Sequence, residues 1–114
     1  MASLEPFLRT VRPAFCAAAD EISMSARLGG ATDERAVTFR CGSAEAVTLS
    51  PQEGFHPFVT SSRIRILAGL SIVPQVAQNG ILHVLFGERT LAVDVQITVQ
   101  GGTELVLLRP RWKQ

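Results

Sequence analysis

Few side chains in this sequence have the types and spacing that chemistry requires. The two histidines, His56 and His83, have no Cys, His, Asp or Glu at the spacing of metal ligands. His83 stands between Leu82 and Val84, so we interpret it as a histidine on the solvent side or at the edge of the core. The sequence therefore predicts no metal site.

Carboxylates and serines offer two further candidates. Asp94 and Glu104 lie on neighbouring predicted strands and resemble a carboxylate pair, but we interpret both as solvated strand positions. Ser61 and Ser62, ahead of Arg63, either cap a helix or form an anion site at its start. Because no nucleophile stands with a base, we expect no catalytic residue, no enzymatic activity and no cofactor.

Three arginines, Arg63, Arg65 and Arg109, form the one set that we interpret as functional. The guanidinium group favours bidentate contacts with carboxylates or phosphates over plain solvation. We predict that Arg63 and Arg65 lie off the apolar stripe of their helix and face solvent or a partner. The alternative is a surface face of ordinary salt bridges.

Length and composition limit the classes of protein. The 114 residues predict a single domain over 1–114, with a polar tail at 110–114, and the hydrophobic content of 46% is typical of a globular chain. Eleven basic and ten acidic residues argue against a nucleic-acid partner. The apolar runs are too short to insert in a membrane, and the N-terminus has no secretory signal, so we expect a cytoplasmic protein. We interpret Cys16 and Cys41 as reduced, buried thiols.

Helical spacing predicts two helices that position these residues. The first has an apolar stripe, is interrupted by Pro13 and continues through Ala17–Ala19 to Asp20. The second runs from about Phe58 to Leu70, and Ile66 should be among the best-buried residues. The first stripe contains Leu4, Leu8, Val11 and Phe15, and the second contains Val59, Ile66 and Leu70.

Alternating apolar residues predict strands, and glycines predict the turns between them. We expect Asn79-Gly80 and Gly101-Gly102 to be turns. The predicted strands are Glu21–Leu28, Ala36–Cys41, Ala44–Leu49, Ile81–Phe86, Thr90–Val99 and Leu105–Leu108. This order, α-βββ-α-βββ, predicts an α+β fold in which one antiparallel sheet carries both helices on one face.

The order of motifs resembles a known family over about Ala19 to Arg109. The helix reads SRIRILAGLSI from Ser62, and QNG, VDV and G-x-E-(apolar)₄-R follow in turn. This order is similar to the N-terminal PAS-like domain of the type II secretion and type IV pilus assembly ATPases. The resemblance implies a PAS-like α+β domain that works beside a nucleotide-binding motor domain.

Departures from the family pattern fall on its nucleotide-facing positions. The sequence has no G-x-x-x-x-G-K-[ST] phosphate loop, and Ile81 and Gln96 stand where the family has arginine. Arg109 alone keeps a matching arginine. The resemblance therefore implies that the fold is kept while the chemistry that contacts nucleotide is lost.

Two functions follow as expectations. The first is a non-catalytic protein-interaction module, whose partner is a secretion or pilus assembly ATPase or a second copy of the chain in a homodimer. The alternative is a PAS-like sensor of a small ligand, which needs a cavity with convergent polar groups. That cavity would be lined by the polar face of one strand, which contains Thr90, Ala92, Asp94, Gln96 and Thr98.

Overall fold

The helices and strands follow from apolar residues that recur near every 3.6 or every second residue. A computed structural model describes residues 5–27, 37–49, 57–71, 77–86 and 88–112. These residues form an α+β domain with the predicted order α-βββ-α-βββ. The helices are α1 (Glu5–Cys16) and α2 (Pro57–Leu67). The strands are β1 (Glu21–Arg27), β2 (Val37–Arg40), β3 (Val47–Thr48), β4 (Gln78–Phe86), β5 (Arg89–Gln100) and β6 (Thr103–Pro110).

All six strands join one antiparallel sheet in the order β3-β2-β1-β6-β5-β4. The central pairing between β1 and β6 opposes Ile22 to Leu108 and Met24 to Val106. Directly opposite residues share a face, so this register puts four apolar side chains on one side of the sheet. Both helices pack on that side, as predicted. We call the other side the outer face of the sheet.

The predicted alternation along β5 is confirmed. Leu91, Val93, Val95 and Ile97 are at most 2% exposed, and their neighbours Asp94 and Gln96 are half-buried on the outer face. Complete burial of such a side chain contributes about 1.5–3 kcal/mol relative to leaving it in water. β5 therefore contributes four buried apolar side chains to the core.

The turn between β5 and β6 is the predicted glycine pair. A two-residue hairpin turn of type I′ needs a positive φ at both of its central residues. Gly101 and Gly102 meet this requirement with φ values of 56° and 80°. Gln100 pairs with Thr103 directly beside it. The local sequence therefore fixes the register of this hairpin.

Helix α1 buries one stripe but ends earlier than predicted. Its buried residues are Phe7, Thr10, Val11, Ala14 and Phe15, and Leu8 packs at their edge. The helix ends at Cys16 because Ala18 adopts a left-handed φ of 51°. The Ala18 and Ala19 amides then donate to the carbonyls of Phe15 and Ala14, which closes a Schellman motif. The predicted continuation to Asp20 is wrong, whereas Pro13 stays inside one helix.

A second Schellman motif ends α2. Gly69 has a φ of 71°, and the amides of Gly69 and Leu70 donate to the carbonyls of Ile66 and Arg65. The predicted turn at Asn79-Gly80 is wrong, because both residues belong to β4. Gly80 is instead a point of close approach. A Cβ atom there would lie 2.9 Å from a Leu70 methyl carbon.

The end of β6 contributes to the core, which corrects the expected polar tail. Pro110 is buried at the end of β6, and the Trp112 ring packs edge-on against Phe15 at 6.1 Å. Trp112 Nε1 also donates a hydrogen bond of 2.7 Å to the Ala19 carbonyl. The sequence predictions at Leu4, Leu28 and His56 lie outside the described residues.

Candidate partner-binding surface

Helix α2 turns an apolar face away from the sheet. Val59, Ile66 and Leu67 are 41%, 50% and 47% exposed, and Arg63 is half-buried among them. Arg63 is four residues after Val59 and three before Ile66, so helical geometry puts all three on one stripe. The prediction that Arg63 lies off this stripe is wrong. We call these four residues the outward face of α2.

The inward face of α2 is more polar than its outward face. Ile64 is fully buried, and Thr60, Ser61 and Arg65 are 6%, 1% and 1% exposed beside it. The prediction that Ile66 is among the best-buried residues is therefore wrong, since half of its surface is accessible. The helix contacts the sheet through a side that its apolar periodicity does not indicate.

A buried ion pair explains this orientation. Arg65 Nη2 lies 2.7 Å from Glu104 Oε1, and their side chains are 1% and 6% exposed. Ser61 Oγ donates to Glu104 Oε2 at 2.8 Å, and Arg65 Nη1 donates to the Ser71 carbonyl at 3.2 Å. A buried charge is tolerated when a partner and hydrogen bonds satisfy it, and both are present here. These contacts join α2 to β6.

Three sequence predictions change with this ion pair. Arg65 was expected to face solvent or a partner, but it is buried beneath α2. Glu104 was expected on a solvated strand position, but it faces the core between β1 and β5. Ser61 was expected either to cap a helix or to form an anion site at its start, but α2 begins at Pro57 and the Ser61 hydroxyl donates to Glu104. Arg65 therefore stabilises the fold instead of contacting a partner.

Arg109 lies on the outer face of the sheet, on the side opposite α2. Its guanidinium group donates to Glu21 Oε2 at 3.2 Å and to Gln96 Oε1 at 3.0 Å. The side chains of Arg109 and Glu21 are 50% and 32% exposed. The three arginines singled out by the sequence thus occupy three environments: Arg63 on the outward face of α2, Arg65 beneath it, and Arg109 across the sheet.

A second polar contact lies beside Arg109. Arg111 donates from Nε to Asp94 Oδ2 at 2.9 Å and from Nη2 to Asp94 Oδ1 at 2.6 Å. These hydrogen bonds are the main reason that the pKa of Asp94 lies below its ordinary value of 3.8. Loss of hydration raises the pKa, whereas the positive charges of Arg111 and Arg109 lower it further. The pKa of Arg111 is raised mainly by the same hydrogen bonds. The Asp94–Arg111 pair is therefore ionised on both sides at neutral pH.

A recess of about 310 Å³ lies between these groups. Its lining residues are Asn79, Gly80, Asp94, Val95, Gln96 and Arg109. Ligand sites usually occupy about 300–1,000 Å³, so the recess is at the small end of that range. The sensor interpretation requires the polar face of β5 to line a cavity, and two residues of that face, Asp94 and Gln96, line the recess.

The remaining candidate side chains are dispersed in the described part of the chain. His83 is exposed on β4, and residue 56 is outside the described ranges. Cys16 is exposed and Cys41 half-buried, so the expectation of two buried thiols is wrong for Cys16. Within residues 5–27, 37–49, 57–71, 77–86 and 88–112, no three His, Cys, Asp or Glu side chains come together as metal ligands would.

Comparison with known proteins leaves the family open. No protein-family model matches the sequence, and no curated protein matches it. In the described ranges, neither helix has the length and apolar character needed to cross a membrane. The function must therefore be inferred from the surfaces of the domain itself.

Proposed function

We propose that this chain is a non-catalytic protein-interaction domain, related to the N-terminal domain of the secretion and pilus assembly ATPases, that acts in the cytoplasm. The observation that carries the proposal is the outward face of α2. Val59, Ile66 and Leu67 expose apolar surface around one guanidinium group, that of Arg63. Arginine is enriched at the centre of protein interfaces, and the three aliphatic side chains supply apolar area around it.

The charge of this face defines the chemistry of its partner. The sequence of α2, PFVTSSRIRIL, contains two arginines and no acidic residue. Arg65 is already paired with Glu104, which leaves Arg63 as the cation of the outward face. Two copies of α2 packed face to face would bring two Arg63 side chains together without a carboxylate from either helix. The face therefore fits a different protein that presents a carboxylate within an apolar surface.

A binding assay with matched variants tests the proposal. The purified chain is titrated with the motor ATPases of the type II secretion and type IV pilus systems of its own host, and anisotropy of a fluorescent label gives the dissociation constant. We expect Arg63→Glu and Ile66→Glu each to weaken binding by at least about tenfold, the effect of losing a residue at the interface centre. Arg12→Glu is the control, because Arg12 is an exposed arginine of α1.

Two results would contradict parts of this proposal separately. If none of the motor ATPases binds the wild-type chain, the assigned partner is wrong. If one binds but Arg63→Glu and Ile66→Glu bind equally well, the outward face of α2 is not the contact surface. Thermal unfolding of each variant must show that the fold is kept, which we expect because exposed substitutions usually change stability by only about 0.5 kcal/mol.

The recess on the outer face of the sheet supports a second candidate, a small-ligand sensor. Amide, carboxylate and guanidinium groups of Asn79, Asp94, Gln96 and Arg109 converge there. The last three already bind one another or a neighbouring side chain, so a ligand must compete with contacts of 2.6–3.2 Å. A sensor would show saturable chemical-shift changes at the Asn79 and Gln96 amides with a small polar ligand, lost in Gln96→Ala. A screen without such changes would exclude it.

A further inference from the structure

The second exposed surface is the edge of the sheet formed by β4. This strand is the last in the order β3-β2-β1-β6-β5-β4 and pairs with β5 along its whole length, from Gln78 opposite Ile97 to Phe86 opposite Arg89. In the described part of the chain its other edge has no partner strand. Such an edge presents a row of backbone N–H and C=O groups that can accept another strand.

β4 lacks the features that usually protect an edge strand. Its sequence, QNGILHVLF, contains no Lys, Arg, Asp, Glu or Pro, and its register with β5 runs without a bulge. Long, regular and uncharged edges are the ones that pair with other chains. The opposite edge of the sheet is β3, which is only two residues long.

The side chains of β4 indicate what pairs with it. Ile81 and Leu85 are 40% and 74% exposed on the outer face of the sheet, and the exposed His83 lies midway between them. If a second β4 pairs antiparallel about His83, Ile81 of each copy lies opposite Leu85 of the other. On the helix side, Leu82 lies opposite Val84. One register therefore covers both exposed apolar residues.

Charge also favours a second copy in this register. No Lys, Arg, Asp or Glu of one β4 would oppose a like charge of the other, because the strand contains none of these residues. Glu88, just beyond the strand, would lie opposite Gln78. Two other registers about a β4 residue are poorer: pairing about Leu82 puts Leu85 opposite Asn79, and pairing about Ile81 puts Leu85 opposite Ala77, outside β4. Cross-strand apolar pairs contribute about 0.2–1 kcal/mol each, which favours the register about His83.

From this geometry we infer that β4 pairs antiparallel with β4 of a second copy of the chain, with His83 at the twofold axis. The two sheets then form one continuous sheet. Because this register places helix-side residues of one β4 opposite helix-side residues of the other, the helices of both copies lie on the same side of it. The interface is a single strand pair without a large core, so the dimer is weak and depends on concentration. The β4 edge is distinct from the outward face of α2, and this inference does not depend on the proposed partner.

Sedimentation velocity from about 10 μM to about 1 mM tests for the dimer. We expect Leu85→Lys to raise the dissociation constant of the dimer by at least about tenfold, because the ammonium group would oppose Ile81 of the second copy. The control is Val47→Lys, since Val47 is 48% exposed on the other edge strand, β3. A wild-type chain that stays monomeric throughout this range, or a dimer that Leu85→Lys leaves unchanged, would overturn the inference.

Disulfide trapping tests the register without relying on a destabilised variant. In a background of Cys16→Ser and Cys41→Ser, His83→Cys places two thiols directly across the axis. Opposed antiparallel residues have Cα atoms about 4.5–5.5 Å apart, within the range that a disulfide spans. We expect His83→Cys to form a covalent dimer under mild oxidation at least about tenfold faster than Leu85→Cys, whose partner position is Ile81. Equal or faster trapping by Leu85→Cys would overturn the register.

Discussion

The buried pair of Arg65 and Glu104 gives the sharpest prediction about stability. Arg65→Met removes a cation that lies 2.7 Å from Glu104 and leaves the carboxylate facing the core. Breaking a buried pair by removing one partner costs about 3–5 kcal/mol, because the other charge loses its compensation. Glu104→Leu should cost a similar amount, since it leaves the Arg65 guanidinium buried.

The double substitution separates the ion pair from simple packing. Replacement of both charges by apolar groups of similar size is often neutral or stabilising. We therefore expect Arg65→Met with Glu104→Leu to be no less stable than either single variant, which corresponds to a coupling of at least about 3 kcal/mol. Arg109→Met is the control. Its ion pair with Glu21 is exposed, so its loss should cost at most about 1 kcal/mol.

Urea unfolding gives these values directly. Fluorescence of Trp112, the only tryptophan, reports the packing against Phe15, and far-ultraviolet circular dichroism must give the same midpoint for a two-state transition. A loss of about 3–5 kcal/mol lowers the thermal midpoint of a domain of this size by roughly 12 °C or more. A loss below about 1 kcal/mol for Arg65→Met, or additive effects in the double variant, would refute the assignment of a compensated buried pair.

Three further predictions follow from other residues. Ile64→Ala should cost about 2–5 kcal/mol because Ile64 is fully buried, whereas Ile66→Ala should cost under about 1 kcal/mol; denaturant unfolding of both measures the difference, and the reverse order would mean that α2 faces the other way. The pKa of Asp94 is lower in the folded chain, so its pair with Arg111 stabilises the fold above the unfolded pKa and loses that effect as the pH falls through the folded value. The difference in thermal midpoint between wild type and Arg111→Gln should therefore be present at neutral pH and shrink below about pH 4, and a difference that stays constant would contradict the assignment. Because the sequence has no phosphate loop, calorimetry should detect no ATP binding at micromolar concentrations, and a micromolar dissociation constant would contradict the non-catalytic assignment.

The strands were the most predictable part of the fold. Strict alternation along β5 sets its buried face, and the Gly101-Gly102 pair sets the turn that follows. Both are local properties, readable from neighbouring residues. By contrast, the Asn79-Gly80 pair has turn chemistry in isolation, but it forms part of β4. Pairing of these two residues with Gln96 and Val95 of β5 places them in the sheet.

The orientation of α2 could not be predicted from its own sequence. Val59, Ile66 and Leu70 form the apparent apolar stripe, yet the helix is held by Arg65 and a carboxylate that is 39 residues away. The alternation around Glu104 gives no signal either, because the run from Leu105 to Leu108 is apolar on both faces. A rotation of the helix by half a turn therefore depends on a pair of charges that no local pattern connects.

The residues proposed to contact a partner differ from those predicted, because the orientation of α2 differs from the predicted one. The prediction that arginines mark a partner-facing side remains a hypothesis for Arg63 and Arg109, which are half-buried and exposed. It fails for Arg65, since the more deeply buried of the two α2 arginines holds the helix in place. The same rotation exposes Val59, Ile66 and Leu67, which the sequence alone did not suggest as contact residues.

The measurement that tests the central claim most directly is a binding footprint by nuclear magnetic resonance. The labelled chain is compared with and without a motor ATPase of the secretion or pilus system that binds it. We expect chemical-shift changes and line broadening at Val59, Arg63, Ile66 and Leu67, with little change at Gln96 on the outer face of the sheet. A footprint centred on the outer face of the sheet, with α2 unaffected, would contradict the proposal that the outward face of α2 binds the partner.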